Sequence, residues 1–267
     1  MLPANPARRN GSALFPKTSP LLFTVSFLLS LLLSPIVLAI QSTPPYTSED
    51  LVSFGREPQF RGVHVLSQMN SRSFCSAVPV DLGSHDGENQ MYFTAGHCIK
   101  DRLLTYYLNG KNVTHLFPHP SYLAGSKEKD IGAFTSSSEQ NEGYKIFSGD
   151  PYGLVGKTLF HVGFGRMTGT AGETNQPRQA MAVTITQFNG CQFIVSYKEN
   201  TEASSSRFVK GWLSSGDSGG GLFVADEGFK TLQLVGIASR GGILRGIWSY
   251  IDPLFVELAK KGLLLQN

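Results

Sequence analysis

Gly216-Asp217-Ser218-Gly219-Gly220-Gly221-Leu222-Phe223 places four glycines around a single serine, immediately before an apolar run. Glycine lets the backbone turn sharply and lets amide N–H groups converge on one point. A serine held at such a turn can present its hydroxyl, with N–H groups nearby to meet a developing negative charge. Taken alone, the run reads equally well as a surface turn. A hydroxyl becomes a useful nucleophile only when a base takes its proton, and histidine is suited to that near neutral pH. The imidazole in turn needs a carboxylate to hold its tautomer and stabilise the cation that forms. Both appear upstream. Thr94-Ala95-Gly96-His97-Cys98 follows the apolar segment Met91-Tyr92-Phe93, and His119-Pro120-Ser121-Tyr122 precedes Asp130-Ile131-Gly132-Ala133-Phe134.

Outward from these segments the chain reads as all-β. Short runs rich in β-branched and aromatic residues recur at 62–66, 74–80, 91–94, 103–108, 159–164, 182–188, 192–197, 221–225 and 231–238, separated by Gly, Pro, Asn and Ser. That spacing predicts a barrel or sandwich. Only 252–264 has helical spacing, with Leu254, Phe255, Leu258 and Leu263 on one side. Residues 41–50 (QSTPPYTSED) predict a flexible lead-in, and 168–179 (TGTAGETNQPRQ) an exposed loop.

The start of the chain predicts export. Arg8, Arg9 and Lys17 precede an apolar run from Leu21 to Leu33, and Pro35 to Ala39 provides a cleavage-like exit after Ala39. The reading is a signal peptide over 1–39 and a lead-in over 40–52; the alternative is an uncleaved anchor spanning 21–40. Residues 1–39 hold three basic side chains and no acidic one, so the remainder carries twenty of each sign. Its net charge is zero, which gives no reason to expect nucleic acid or an anionic membrane surface as partner. Of the cysteines Cys75, Cys98 and Cys191, an exported chain would oxidise one pair. No CxxC spacing points to zinc. Asn112-Val113-Thr114 is a glycosylation sequon where the host carries that machinery. His64, His85 and His161 have no motif around them, and Pro118 argues against a helical metal pair of His115 and His119.

The three segments, in the order His, Asp, Ser, resemble the chymotrypsin/trypsin-like serine peptidases, whose signatures are close to TAGHC, HPSY…DIGAF and GDSGGG. The resemblance runs from about Gln59 to Leu264. It implies two packed six-stranded antiparallel barrels, about 53–138 and 149–251, closed by a C-terminal helix over 252–264, together forming one peptidase domain over 53–267. It implies His97 as general base, Asp130 as its orienting partner and Ser218 as nucleophile, with the backbone N–H groups of Gly216 and Ser218 as oxyanion hole. Cys75 and Cys98 would form the disulfide beside the histidine. Ser239 would reach the aspartate from the strand that pairs with substrate, and Gly163-Phe164-Gly165 resembles a Gly-Trp-Gly segment of the second barrel. Polypeptide substrates follow, with no cofactor, no metal, no membrane once the leader is cut, a monomer, and a secreted location (periplasmic in a bacterium).

The pattern also departs from the family. No Ile-Val-Gly-Gly-like start lies between Gln41 and Cys75, so the expectation is that Asp217 is satisfied without a freed N-terminal amine. The specificity floor falls at Trp212 or Leu213, where no acid stands, and Gly241 and Gly246 resemble pocket walls. Cleavage after Arg or Lys is therefore unsupported, and an apolar first-site preference is expected. The competing function is a non-catalytic homologue that binds a partner through the same fold. Cys191 has no partner and reads as a buried apolar thiol.

Overall fold

The computed structural model describes residues 41–42, 45–69, 74–83, 89–137, 143–166, 176–197 and 208–264. All of them lie in one compact unit, Val37–Asn267. The leader read over 1–39 lies outside the described residues, among which no helix is long and apolar enough to cross a membrane.

A two-residue strand, β1 (Gln41–Ser42), pairs with a later one at Gly211–Trp212. The first barrel is built from β2 (His64–Gln68), β3 (Phe74–Asp81), β4 (Gln90–Thr94), β5 (Tyr106–Leu108), β6 (Lys111–Pro118) and β7 (Gly132–Ser136). They pair antiparallel in the ring β3-β2-β5-β6-β7-β4, and β4 returns to β3 through Val78–Phe93 and Pro79–Tyr92. Closure removes the sheet edges. The interior is filled by Leu66, Ala77, Tyr92, Leu108 and Phe134, with the Tyr92 and Phe134 rings stacked at 5.4 Å.

A short strand, β8 (Tyr144–Ile146), runs parallel to both β3 and a strand of the second half, and so stitches the two together. That half contains β9 (Thr158–Gly163), β10 (Gln179–Thr184), β11 (Gln187–Phe188), β12 (Gln192–Ser196), β13 (Gly211–Trp212), β14 (Gly221–Ala225), β15 (Leu232–Gly241) and β16 (Arg245–Tyr250). The antiparallel order is β10-β9-β14-β15-β16-β12, and β12 pairs with β11. Because only Ile185 and Thr186 separate β10 from β11, this second barrel closes through one bent strand. Thr186 marks the bend, its N–H and hydroxyl both donating to Ile194 O. Trp248, Phe193, Leu222 and Leu159 are fully buried in its core. The two expected barrels are thus both present, with a helix, Pro253–Leu264, after them.

Four local expectations are corrected. Residues 48–52, read as flexible lead-in, belong to a helix, Ser48–Gly55. Thr47 caps it through a reciprocal pair with Asp50, and Leu51 is completely buried. Leu103, read into a strand, is 96% exposed in a turn where its N–H donates to the Asp101 carboxylate. At the far end of the loop read over 168–179, Gln176 and Gln179 are buried and the chain is tied down: Gln179 Nε2 donates to Gly165 O, and the part-buried Arg178 Nε donates to Gly55 O. In the C-terminal helix, Phe255, Ala259 and Leu263 form the buried stripe while Leu254 faces solvent.

Candidate active site

His97 lies in a turn of 3-10 helix, Gly96–Cys98, directly after β4. Cys98 of that turn is bonded to Cys75 on β3, which fixes the turn against the barrel wall. Asp130 stands at the entrance to β7, its side chain 7% exposed. Its Oδ1 accepts the His97 backbone N–H at 2.8 Å, and its Oδ2 meets His97 Nδ1 at 2.8 Å. The Ser239 hydroxyl donates to the same Oδ2 at 2.7 Å. Burial alone would raise the Asp130 pKa. Hydrogen bonding and charge from His97, with the Ser239 bond, outweigh it and hold the carboxyl below its ordinary 3.8. An ionised Asp130 fixes Nδ1 as the N–H-bearing nitrogen and leaves Nε2 as the free base.

Ser239 reaches Asp130 because β15 shifts register against β16 between Ala238 and Arg240. A bulge re-aims one side chain without breaking the strand. The effect here is that a strand of the second barrel holds a carboxylate of the first.

Ser218 follows a glycine-shaped loop. Gly216 has φ +101° and Gly219 φ +85°, both in the left-handed region. At Gly219 a Cβ would lie 2.0 Å from Ser76 O, so nothing larger fits. Ser218 shares one cleft of about 560 Å³ with His97, Tyr122, Asp130, Leu213 and Ser239. Its hydroxyl makes a long 3.5 Å bond to Ser239 O rather than to His97. The N–H groups of Gly216 and Ser218 donate to no described residue, which leaves them available at that point.

Ser76, which sequence reading did not single out, and Asp217, for which it expected a partner other than a freed amine, hold this loop. Ser76, fully buried on β3, donates its N–H to Ser218 O at 2.7 Å and its hydroxyl to Gly216 O at 3.0 Å, and accepts Phe164 N–H at 2.9 Å. Asp217, 1% exposed, accepts Ser214 N–H at 2.9 Å and Gly165 N–H at 3.0 Å. The third group facing it is His161, which has no sequence motif around it. His161 is 0% exposed, with Nε2 3.4 Å from Asp217 Oδ1, short of good hydrogen-bond geometry. Trp248 Nε1, which can only donate, bonds His161 Nδ1 at 3.2 Å. The proton therefore sits on Nε2 and points at Asp217. A glycine before a buried Asp, paired with a lone His in a strand more than fifty residues away, leaves no local signal.

Of the expected pocket residues, Leu213, Ser239 and Gly241 line the cleft, whereas Trp212 and Gly246 do not. A Cβ on Gly241 would meet Leu213 Cβ at 2.5 Å, and one on Gly246 would meet Tyr197 Oη at 2.4 Å. Leu213 thus packs against Gly241 at the cleft, whereas Tyr197 packs against Gly246 outside its lining. Cys191 is a free, part-exposed thiol rather than a buried one. Cys75, His97 and Cys98 approach one another closely enough to resemble a metal site, but both sulfurs are committed to the disulfide.

No curated protein matches the chain in sequence. Among solved structures it is similar to one described as "Structure of Glu endopeptidase in complex with MPD", at 14% identity and a TM-score of 0.56, covering 86% of this chain and 100% of that one. That likeness concerns the fold. The Trypsin family model matches residues 59–247, which hold His97, Asp130 and Ser218 and most of both barrels, and the chain belongs to that family.

Proposed function

We propose that this chain is an exported serine endopeptidase in which Ser218 is the nucleophile, His97 the general base and Asp130 the group that orients and stabilises the imidazole. The observation that carries the proposal is the Asp130 carboxylate. It is buried, ionised, bonded twice to His97 and once to Ser239, and opens onto the same cleft as Ser218. A structural ion pair has no need of a partly exposed histidine whose second nitrogen is free; His97 is 35% exposed.

In the proposed reaction Ser218 Oγ attacks the substrate carbonyl carbon as its proton passes to His97 Nε2. The oxyanion is met by the Gly216 and Ser218 N–H groups, each worth about 3 kcal/mol in typical acyl-transfer sites. The amine leaves with the proton from His97, and water then hydrolyses the acyl-enzyme with His97 again as base. In the proposed reaction the Ser218 hydroxyl turns from its long bond to Ser239 O toward His97. Catalytic hydrogen bonds commonly tighten only when substrate is bound. The reaction draws on no metal or cofactor, and the enzyme acts as a monomer.

Residues 239–241 present the substrate-facing edge of β15. With Leu213 lining the cleft against Gly241 and no unengaged acidic side chain among the described lining residues, an apolar first-site side chain fits better than Arg or Lys. Asp217 needs no freed N-terminal amine, being held by two N–H groups and faced by His161. Secretion rests on the 1–39 leader. The test is labelling of the secreted protein with a fluorophosphonate: modification of Ser218, lost in Ser218→Ala and in His97→Ala, supports the proposal. An intact, folded protein that is never labelled would point instead to a partner-binding homologue.

A further inference from the structure

Two exposed cations, Lys127 and Arg240, line the cleft that holds His97 and Ser218. They are brought together by the backbone, since Arg240 Nη1 donates to Lys127 O at 3.0 Å. The only acidic groups among the described residues lining that cleft are Asp130 and Asp217, and both are buried and already engaged. Of the neighbouring charges in the chain, Lys129 is turned into an ion pair with Asp252, and Glu128 does not line the cleft. Neither Lys127 nor Arg240 has an acidic partner among the described residues. The second cleft at Ser218, of about 340 Å³, lies on the Cys75–Cys98 side and is lined by Leu66, Phe74 and Tyr106; among the described residues lining it, no side chain carries a charge besides that available to His97.

We infer that Lys127 and Arg240 select polypeptides carrying acidic side chains two to four residues before the scissile bond, on the acyl side. The inference rests on the peptidase reading above. An extended peptide lying along the edge 239–241 places alternate side chains on either face of its own backbone. Those directed along the cleft floor meet two positive groups in a concave site where water is partly excluded. Coulomb attraction is stronger there than on an open surface, and repulsion of a basic peptide is correspondingly stronger. One carboxylate in the substrate would supply the counter-charge that the protein itself withholds. The described residues lining the other cleft supply no equivalent, so the leaving-group side should be indifferent to charge.

The experiment uses the secreted full-length protein and internally quenched peptides that share one cleaved core and differ at single positions. Aspartate, asparagine, alanine or lysine is placed at each of positions two to four before the bond, and at the positions after it. Aspartate should exceed lysine by about tenfold in kcat/KM on the acyl side, with little difference on the leaving side. The gap should shrink sharply at about 1 M salt, where the Debye length is about 3 Å. Because Arg240 also touches Ser239 Oγ at 3.3 Å, Lys127→Glu is the cleaner variant; it should invert the preference at one of the three positions, and Arg240→Glu at another. Indifference to charge, or a preference confined to the leaving side, overturns the inference. Labelling of Ser218 in the wild-type protein separates the two levels. If Ser218 is labelled while charge has no effect, only this inference falls; if Ser218 is never labelled, the peptidase reading falls with it.

Discussion

Replacing His161 with leucine removes two polar contacts while keeping the volume nearly constant. Trp248 Nε1–H then loses its acceptor in a fully buried site, a loss that typically costs about 1–3 kcal/mol. Asp217 loses the polar edge that faces Oδ1. Because that contact is long, at 3.4 Å, its share is set at about 1–2 kcal/mol rather than at the 3–5 kcal/mol of a well-formed buried pair. The sum is a destabilisation of about 2–5 kcal/mol, or a fall in Tm of roughly 10 °C for a domain of this size. Labelling of Ser218 should slow by more than unfolding accounts for, because Asp217 sits between the two amides proposed for the oxyanion. His161→Gln provides the internal check. Its amide can accept from Trp248 and donate to Asp217 at once, so it should recover at least half of both losses. Urea unfolding followed by circular dichroism, together with fluorophosphonate labelling rates, reads both effects. A leucine variant as stable and as quickly labelled as wild type, or a glutamine variant no better than leucine, would refute the reasoning.

Gly219→Ala should cost about 3–5 kcal/mol and abolish labelling, since a Cβ there meets Ser76 O at 2.0 Å from a left-handed backbone; an active, stable variant in a thermal melt would contradict it. The Cys75–Cys98 bond closes a separation of 23 residues, which the chain-entropy relation values at about 3 kcal/mol, so the double alanine variant should melt roughly 6–12 °C lower by calorimetry. The Lys129–Asp252 pair sets a pH window. At Asp252 burial pushes upward, but bonding to Lys129 and to Phe255 N–H leaves the carboxyl below 3.8; at Lys129 burial pushes downward, but Asp252 leaves the ammonium above 10.5. A depressed carboxyl contributes stability above its unfolded value and loses it as pH falls through the folded one. A raised ammonium contributes below its unfolded value and loses it as pH rises through the folded one. Urea midpoints of wild type and Asp252→Asn should therefore differ between about pH 4 and 10 and converge outside that range.

The sequence was most legible where local chemistry and tertiary demand agree. The β-branched runs at 74–80, 192–197 and 221–225 need no distant partner to declare themselves as strands, and each strand lies where its run stands. The helix Ser48–Gly55 was missed because its apolar face is only Leu51, Val52 and Phe54, behind a proline-bearing stretch. The Thr47…Asp50 capping box was the one signal available. Leu103 shows the opposite error, an apolar residue taken for strand although Asp101 offers its carboxylate to the turn. Of the two glycines read as pocket walls, Gly241 lines the cleft and Gly246 does not. What packs against them, Leu213 on Gly241 and Tyr197 on Gly246, comes from 28 and 49 positions away and leaves no local signal. Ser76, His161 and the Lys127–Arg240 pair were invisible for the same cause: each matters through a partner that only folding supplies.

The bonds from Ser76 to the carbonyls of Ser218 and Gly216 cross between the halves of the molecule, as does the bond from Ser239 to Asp130. Each half therefore lends the other a restraint it cannot make for itself. Cutting the chain between β7 and β9 and purifying the pieces would yield an imidazole without its full carboxylate clamp and a serine without its anchor. Competence is a property of the docked whole, and a fragment of either half is a scaffold only.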